Sequence, residues 1–378
     1  MKRVMIIAGE ASGDLHAAKL VKAVRSHHPD IHFYGIGGED MRKAGVEVMV
    51  DAAELAVVGL VEIWAHRKVI FGALDKMRQE LNDNPPDLLV LVDYPEFNLR
   101  LAKTAKQHGV KVLYYISPQV WAWRQHRVKK IRQRVDMMAV VFPFEESFYQ
   151  QHQVPVEFVG HPLVDEVKPS ADRNTLRQAF KLADDKPVIG LFPGSRRSEI
   201  KRLLAIILQS ADCLKQQYPD VQFLLPLAPG LKLADIQPYL QQHSSLSIQV
   251  IEDRAYDVMA ACDVIITVSG TVTLEIALIG TPLLIINKVA WLTYLIVHRM
   301  LKIKHIGLCN IVADKRIAPE LIQHDATPGK ICQVVSKLIA QPAAREQMRQ
   351  ELGNIEALLG KKGGIENTAR LVSAMVRD

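Results

Sequence analysis

Apolar residues in this chain come in two rhythms. Short, mostly apolar runs stand at 4–8, 32–37, 88–92, 110–116, 137–141 and 156–159, and again at 188–192, 222–226, 246–251, 264–268 and 283–286. Runs of that length, apolar at nearly every position, predict strands buried on both faces, as in a parallel sheet. Between them, apolar positions return every third or fourth residue. Leu15, Ala18, Val21 and Val24 predict a helix over 15–26, and further helices follow over 41–44, 198–217, 256–261 and 328–339 and along the tail from 343. Strand and helix alternate through both halves, and the pattern lapses into polar, proline-containing sequence at 167–172. That lapse predicts a border between a first domain, 1–168, and a second, 169–342, with terminal helices over 343–378 crossing back to the first half.

Composition narrows the class. The chain has 378 residues, 49% hydrophobic and 23% charged, enough for two domains that each bury a core. Its net charge of +6 leans toward acidic partners: nucleotides, anionic lipid or nucleic acid. Cys213, Cys262, Cys309 and Cys332 have no CxxC or zinc-like spacing, so neither a disulfide framework nor a metal site is expected. The apolar run after Lys2-Arg3 is too short for a signal sequence, and no stretch of about 18 apolar residues is present to span a bilayer. A cytoplasmic protein is expected.

Candidate chemistry collects where strands end. The strand 188–192 stops at Pro193-Gly194-Ser195-Arg196-Arg197, after which Ser198-Glu199-Ile200 opens a helix. Such a turn offers backbone N–H groups, a helix N-terminus and a guanidinium to an anion; it reads equally as an ordinary loop with solvated arginines. The strand 264–268 empties into Ser269-Gly270-Thr271-Val272-Thr273-Leu274-Glu275, where Ser269, Gly270 and Thr271 suit phosphate and Glu275 suits a ribose diol. Asp93, delivered by the strand 88–92 and followed by Pro95, is the first candidate for a general base, with Glu96 and Asn98 close behind. The loop Gly9-Glu10-Ala11-Ser12-Gly13-Asp14 is not GxGxxG, so no dinucleotide fingerprint is present. Glu10, Ser12 and Asp14 are placed to meet a sugar hydroxyl, with helix capping the plainer role for the last two.

Two segments couple aromatic and basic residues. Residues 55–71, with Trp64, Arg67 and Lys68, and residues 289–304, with Trp291 and Arg299, each read either as a core helix with a basic exit or as an interfacial element dipping into lipid. In 117–134, Trp121 and Trp123 stand beside a run of arginines and lysines. That pairing suits RNA stacking, an acylated phospholipid or a solvated amphipathic helix.

Five motifs, in order and spread from end to end, resolve several of these alternatives. They are residues 8–14 (AGEASGD), 93–98 (DYPEFN), 117–124 (SPQVWAWR), 193–196 (PGSR) and 269–275 (SGTVTLE). The chain resembles the lipid-A-disaccharide synthases, glycosyltransferases of family 19. The resemblance implies a GT-B α/β fold, with two Rossmann-like doubly wound domains facing each other across a cleft. It also implies inverting transfer of 2,3-diacylglucosamine from UDP-2,3-diacylglucosamine to the 6-hydroxyl of 2,3-diacylglucosamine 1-phosphate, with no metal or other cofactor. By the same resemblance Asp93 is the base, with Glu10 beside it as the other possible base. Gly194, Ser195, Arg196, Ser269, Gly270, Thr271, Glu275 and Asn310 hold the donor, and the Trp-basic segments meet an anionic inner-membrane surface from its cytoplasmic side. A nucleic-acid partner is not expected, and a homodimer is left open. The runner-up in the same fold is a UDP-GlcNAc 2-epimerase, which has no use for the Trp-basic segments.

Overall fold

A computed structural model describes residues 2–55, 63–122, 125–289 and 304–377, with backbone alone at 63–67. The chain forms two units. One comprises Met1–Pro162 and Leu359–Asp378, the other Leu163–Leu358.

The first unit is built on a parallel sheet of seven strands: β1 (Arg3–Ala8), β2 (His32–Gly37), β3 (Glu47–Asp51), β4 (Leu88–Val92), β5 (Lys111–Tyr115), β6 (Met137–Val140) and β7 (Val156–Phe158). Their order is β3-β2-β1-β4-β5-β6-β7. The Leu-Leu-Val-Leu-Val run of β4 is buried at every position, as expected of a central strand covered on both faces. Strand order reverses between β1 and β4, which pair in parallel with Ala8 opposite Val92. In doubly wound sheets a ligand binds beyond the carboxyl ends of such a strand pair.

The second unit repeats the plan with six parallel strands: β8 (Val188–Phe192), β9 (Gln222–Leu227), β10 (Ile248–Glu252), β11 (Val264–Val268), β12 (Leu283–Asn287) and β13 (Glu320–Ile322), ordered β10-β9-β8-β11-β12-β13. Here the order reverses between β8 and β11, with Phe192 opposite Thr267.

Several elements depart from the expectation drawn from the sequence. The first helix begins at Ala11, not at 15, so Ser12 and Asp14 lie inside its first turn and cap nothing there. The Asp14 carboxylate instead accepts N–H bonds from Gly38, Asp40 and Met41 at 2.6, 3.0 and 3.2 Å, capping the next helix, Glu39–Lys43. The border between units lies at Pro162/Leu163, not 168/169. The polar linker is fastened to the second unit, where the Ser170 N–H and hydroxyl both donate to Asp257, 2.6 and 2.8 Å away. The helix Pro342–Leu358 also stays with the second unit. Only the chain from Leu359 returns to the first, where the helix Gly364–Arg377 buries Thr368, Val372 and Val376 along one stripe and packs on the helix Ala11–His27.

Cys213 and Cys332 form a disulfide with Cα atoms 6.1 Å apart, against the expectation of none. They lie on the packed helices Ala205–Gln217 and Pro328–Ala340, a tertiary pairing that no local spacing reveals.

Candidate active site

At the end of β4 the backbone does something costly. Asp93 and Tyr94 both take left-handed φ values, 46° and 45°, before Pro95 opens the helix Pro95–Gln107. Non-glycine residues in that region cost about 1–3 kcal/mol each and persist only where neighbours impose them. The Asp93 side chain is half-buried, and its pKa is pushed up to about 6 by burial first and by the negative charge of Glu10 second, against a lowering bond from the Tyr94 N–H. A carboxylate so placed is ionised at neutral pH yet more basic than an ordinary aspartate, which is what a general base for a sugar hydroxyl requires.

Glu10 caps the backbone of the helix Ala11–His27 without using its side chain, which is exposed. Because β1 and β4 are neighbours, Glu10 and Asp93 leave the sheet side by side. Gly9 makes this possible: a Cβ there would run into the ring of Tyr94. Asn98, expected to line the site, is fully buried beneath the turn, while Glu96 turns outward to an ion pair with Arg127 at 2.5 Å.

In the second unit, the loops after β8 and β11 likewise leave adjacent strands. Gly194 has φ 107°, and any side chain there would collide with the Glu199 carboxylate. That carboxylate accepts the N–H bonds of Ser195 and Arg196 at 3.0 and 3.2 Å. The N–H groups of Ser195 and Arg196, read from the sequence as open to an anion, are therefore satisfied internally by a capping carboxylate. What the loop presents to solvent is the Arg196 side chain, 76% exposed and 3.9 Å from Glu199, whereas Arg197 turns to Asp235 at 3.3 Å.

After β11, Asn287 donates to the Ser269 hydroxyl at 2.9 Å and Thr273 to the Gly270 carbonyl at 2.8 Å, fixing the Ser269-Gly270-Thr271 turn ahead of the helix Val272–Ile279. Glu275 on that helix is half-buried. Its pKa is raised by burial above all and further by the charge of Glu166, against a bond from the Tyr256 hydroxyl. Tyr256 and Asn287 were not legible as site residues, since each acts through a partner distant in sequence, whereas Thr273 stands within the motif 269–275 and bonds three residues back.

Two residues expected at a ligand or lipid surface are buried and hydrogen-bonded inside the fold. Asn310 is 0% exposed and spent inside the fold: its Nδ2 donates to the Ala318 carbonyl and to Glu320, both at 2.8 Å, and its Oδ1 accepts from the Ala318 N–H at 2.9 Å. It holds the helix Leu308–Ala313 against β13 and has no group left for a donor. Trp121, expected at a lipid surface, is 9% exposed. Its indole N–H donates to Glu145 at 3.0 Å and its ring packs edge-on to Phe144. Lys68 is exposed, as are Val69 (40%) and Phe71 (44%), with the Arg100 guanidinium 5.5 Å over the Phe71 ring. The side chains of Trp64, Arg67, Trp123, Trp291 and Arg299 lie outside the described residues.

A family model for lipid-A-disaccharide synthetase matches residues 4–370. The chain belongs to this family. The lipid-A-disaccharide synthase of Geobacter sulfurreducens is 54% identical over 374 residues, covering 99% of this chain and 97% of the relative. That of Nitrosococcus oceani is 52% identical over 373 residues, covering 99% and 96%. Among solved structures, a UDP-GlcNAc 2-epimerase from Neisseria meningitidis superposes with a TM-score of 0.64 at 14% identity over the whole of both chains. Acinetobacter baumannii MurG superposes with 0.61 at 13%, covering 99% of this chain and 100% of its own. Those two likenesses establish the GT-B fold and nothing finer. Family membership makes the chain a glycosyltransferase of lipid A biosynthesis and leaves the epimerase and RNA-binding readings without support.

Proposed function

We propose that the chain transfers 2,3-diacylglucosamine from UDP-2,3-diacylglucosamine to the 6-hydroxyl of 2,3-diacylglucosamine 1-phosphate, giving the β-1,6-linked disaccharide 1-phosphate and UDP. The observation that carries this reading is the strained, half-buried Asp93 beside Glu10 at the strand reversal of the first unit, in a chain 54% identical to a lipid-A-disaccharide synthase. Asp93 takes the acceptor proton as the hydroxyl oxygen bonds to the sugar anomeric carbon. The bond from that carbon to the UDP oxygen breaks, and its electron pair leaves with the diphosphate. One displacement inverts the anomeric centre. Glu10, exposed and next to Asp93, orients the acceptor and maintains the base's proton affinity. Of the two carboxylates, Asp93 is the base because burial and backbone fix its position.

In this reading the first unit binds the acceptor and the second the donor. Arg196 and the Ser269-Gly270-Thr271 turn hold the diphosphate and its developing charge, with Glu275 on the ribose. Gly194 contributes by letting the loop close on Glu199. Acylated substrates call for a peripheral membrane enzyme on the cytoplasmic face of an inner membrane. The exposed Lys68, Val69, Phe71 and Arg100 support that placement. No helix among the described residues is long and apolar enough to cross a membrane.

The test is UDP release from the two substrates by wild type and Asp93→Asn. No turnover by the wild type refutes the reaction, and full turnover by the variant removes Asp93 as base.

A further inference from the structure

The turn that carries Asp93 is held from beneath by two buried side chains. Asn98 Nδ2 donates to the carbonyl oxygens of Val92 and Asp93, at 3.2 and 2.6 Å. The Tyr114 hydroxyl, reaching from β5, donates to the same Asp93 oxygen at 2.5 Å. Both residues are fully buried, at 0% exposure. The Asn98 N–H in turn donates to the Tyr94 carbonyl at 3.1 Å, so the first turn of the helix Pro95–Gln107 closes on the same two residues.

We propose that Asn98 and Tyr114 are positioning residues for the transfer, locking the Asp93 and Tyr94 backbone in its left-handed turn and thereby fixing the base. The proposal rests on the reading of Asp93 as base. Rotating the peptide after Asp93 toward an ordinary extended conformation would carry its carbonyl away from both donors. The buried phenol would then be orphaned and the buried amide left with only its longer bond to the Val92 carbonyl, without water to replace the lost bonds. Two left-handed residues in a row have no intrinsic reason to persist; these donors supply one.

The titratable groups around the turn are Glu10 just after β1, Tyr94 beside the base, Glu96 on the following helix, Tyr114 itself and Tyr149 facing Tyr114, with burial holding Tyr94 and Tyr114 neutral. Released from the clamp, the Asp93 carboxylate reaches water and moves away from Glu10. Both effects return it toward the ordinary carboxylate range.

The test is Tyr114→Phe, which keeps the ring in the core and removes only the hydroxyl, with Asn98→Ala as a second variant. Each is assayed for kcat, for both KM values and for the pH profile of kcat/KM. A fall in kcat of about ten- to a hundredfold is expected, with KM within about twofold. The acid limb should move from near pH 6 toward lower pH. Unchanged kcat and an unmoved acid limb, with only a lower melting temperature, would show that both side chains merely fill the core and would overturn the proposal. Asp93→Asn separates the two readings. If it retains turnover, the base assignment fails and takes the clamp with it. If it is inactive while Tyr114→Phe behaves as wild type, the clamp alone fails.

Discussion

Replacing Asp93 by asparagine should make the protein more stable at neutral pH while removing its activity. The native pKa of Asp93 lies near 6, above the ordinary 3.8, so between those values the native state binds more protons than the unfolded chain. Stability from this group is therefore fully present below about pH 4 and is lost as pH rises through about 6. About two pKa units correspond to about 3 kcal/mol of native-state penalty once the carboxylate is ionised. Asparagine removes the charge but also weakens the bond from the Tyr94 N–H, which takes back about 1 kcal/mol. The expected net gain is about 1–2 kcal/mol at pH 8, or about 2–8 °C in melting temperature, shrinking to nothing near pH 4. Denaturant melts of both proteins from pH 4 to 8 measure it, with UDP release followed in parallel. A stability difference that does not change with pH would refute the reasoning, because it would mean that Asp93 ionises in the fold as readily as in the unfolded chain.

Four further outcomes are expected. Arg196→Ala should cut kcat/KM for the UDP-sugar by about 10²–10³-fold, and Glu199→Gln should tighten UDP binding about threefold or more, both readable by titration with UDP and by steady-state kinetics. Asn310→Ala should cost about 2–4 kcal/mol in unfolding experiments, by orphaning the Ala318 N–H and carbonyl, yet leave turnover per folded molecule unchanged. The pair Lys68→Glu with Phe71→Ser should weaken sedimentation with vesicles containing anionic lipid; undiminished binding would place the membrane contact elsewhere.

The strands were legible wherever a central, doubly covered strand needs an unbroken apolar run, as in β4, β8 and β11. Of the four edge strands, β7 and β10 were legible and two were not: Glu47–Asp51 carries acidic residues at both ends, and Glu320–Ile322 is too short for any rhythm to show. Asp93, Glu10 and the two glycine turns stood out because each follows a strand end. The roles of Asn98, Tyr114, Asn310 and Trp121 did not, because a polar residue in the sequence looks the same whether it faces a ligand or a carbonyl inside the fold. Asn310 and Trp121 were assigned outward and prove to be internal donors. Glu199 was passed over as a helix opener and proves to fill the backbone seats that the loop had been expected to leave open.

That last arrangement has a thermodynamic consequence for donor binding. A loop whose amides already grip a carboxylate does not wait unfolded for its ligand, so an arriving diphosphate has no loop to order and incurs little entropic cost. If it takes those amides, it must do so by exchange, evicting Glu199 into water. Affinity is then the difference between two anions competing for one pair of donors. Such a seat would discriminate against weakly charged visitors, and in the proposed reaction it would let UDP go after transfer, because a tethered competitor is always at hand to retake the place.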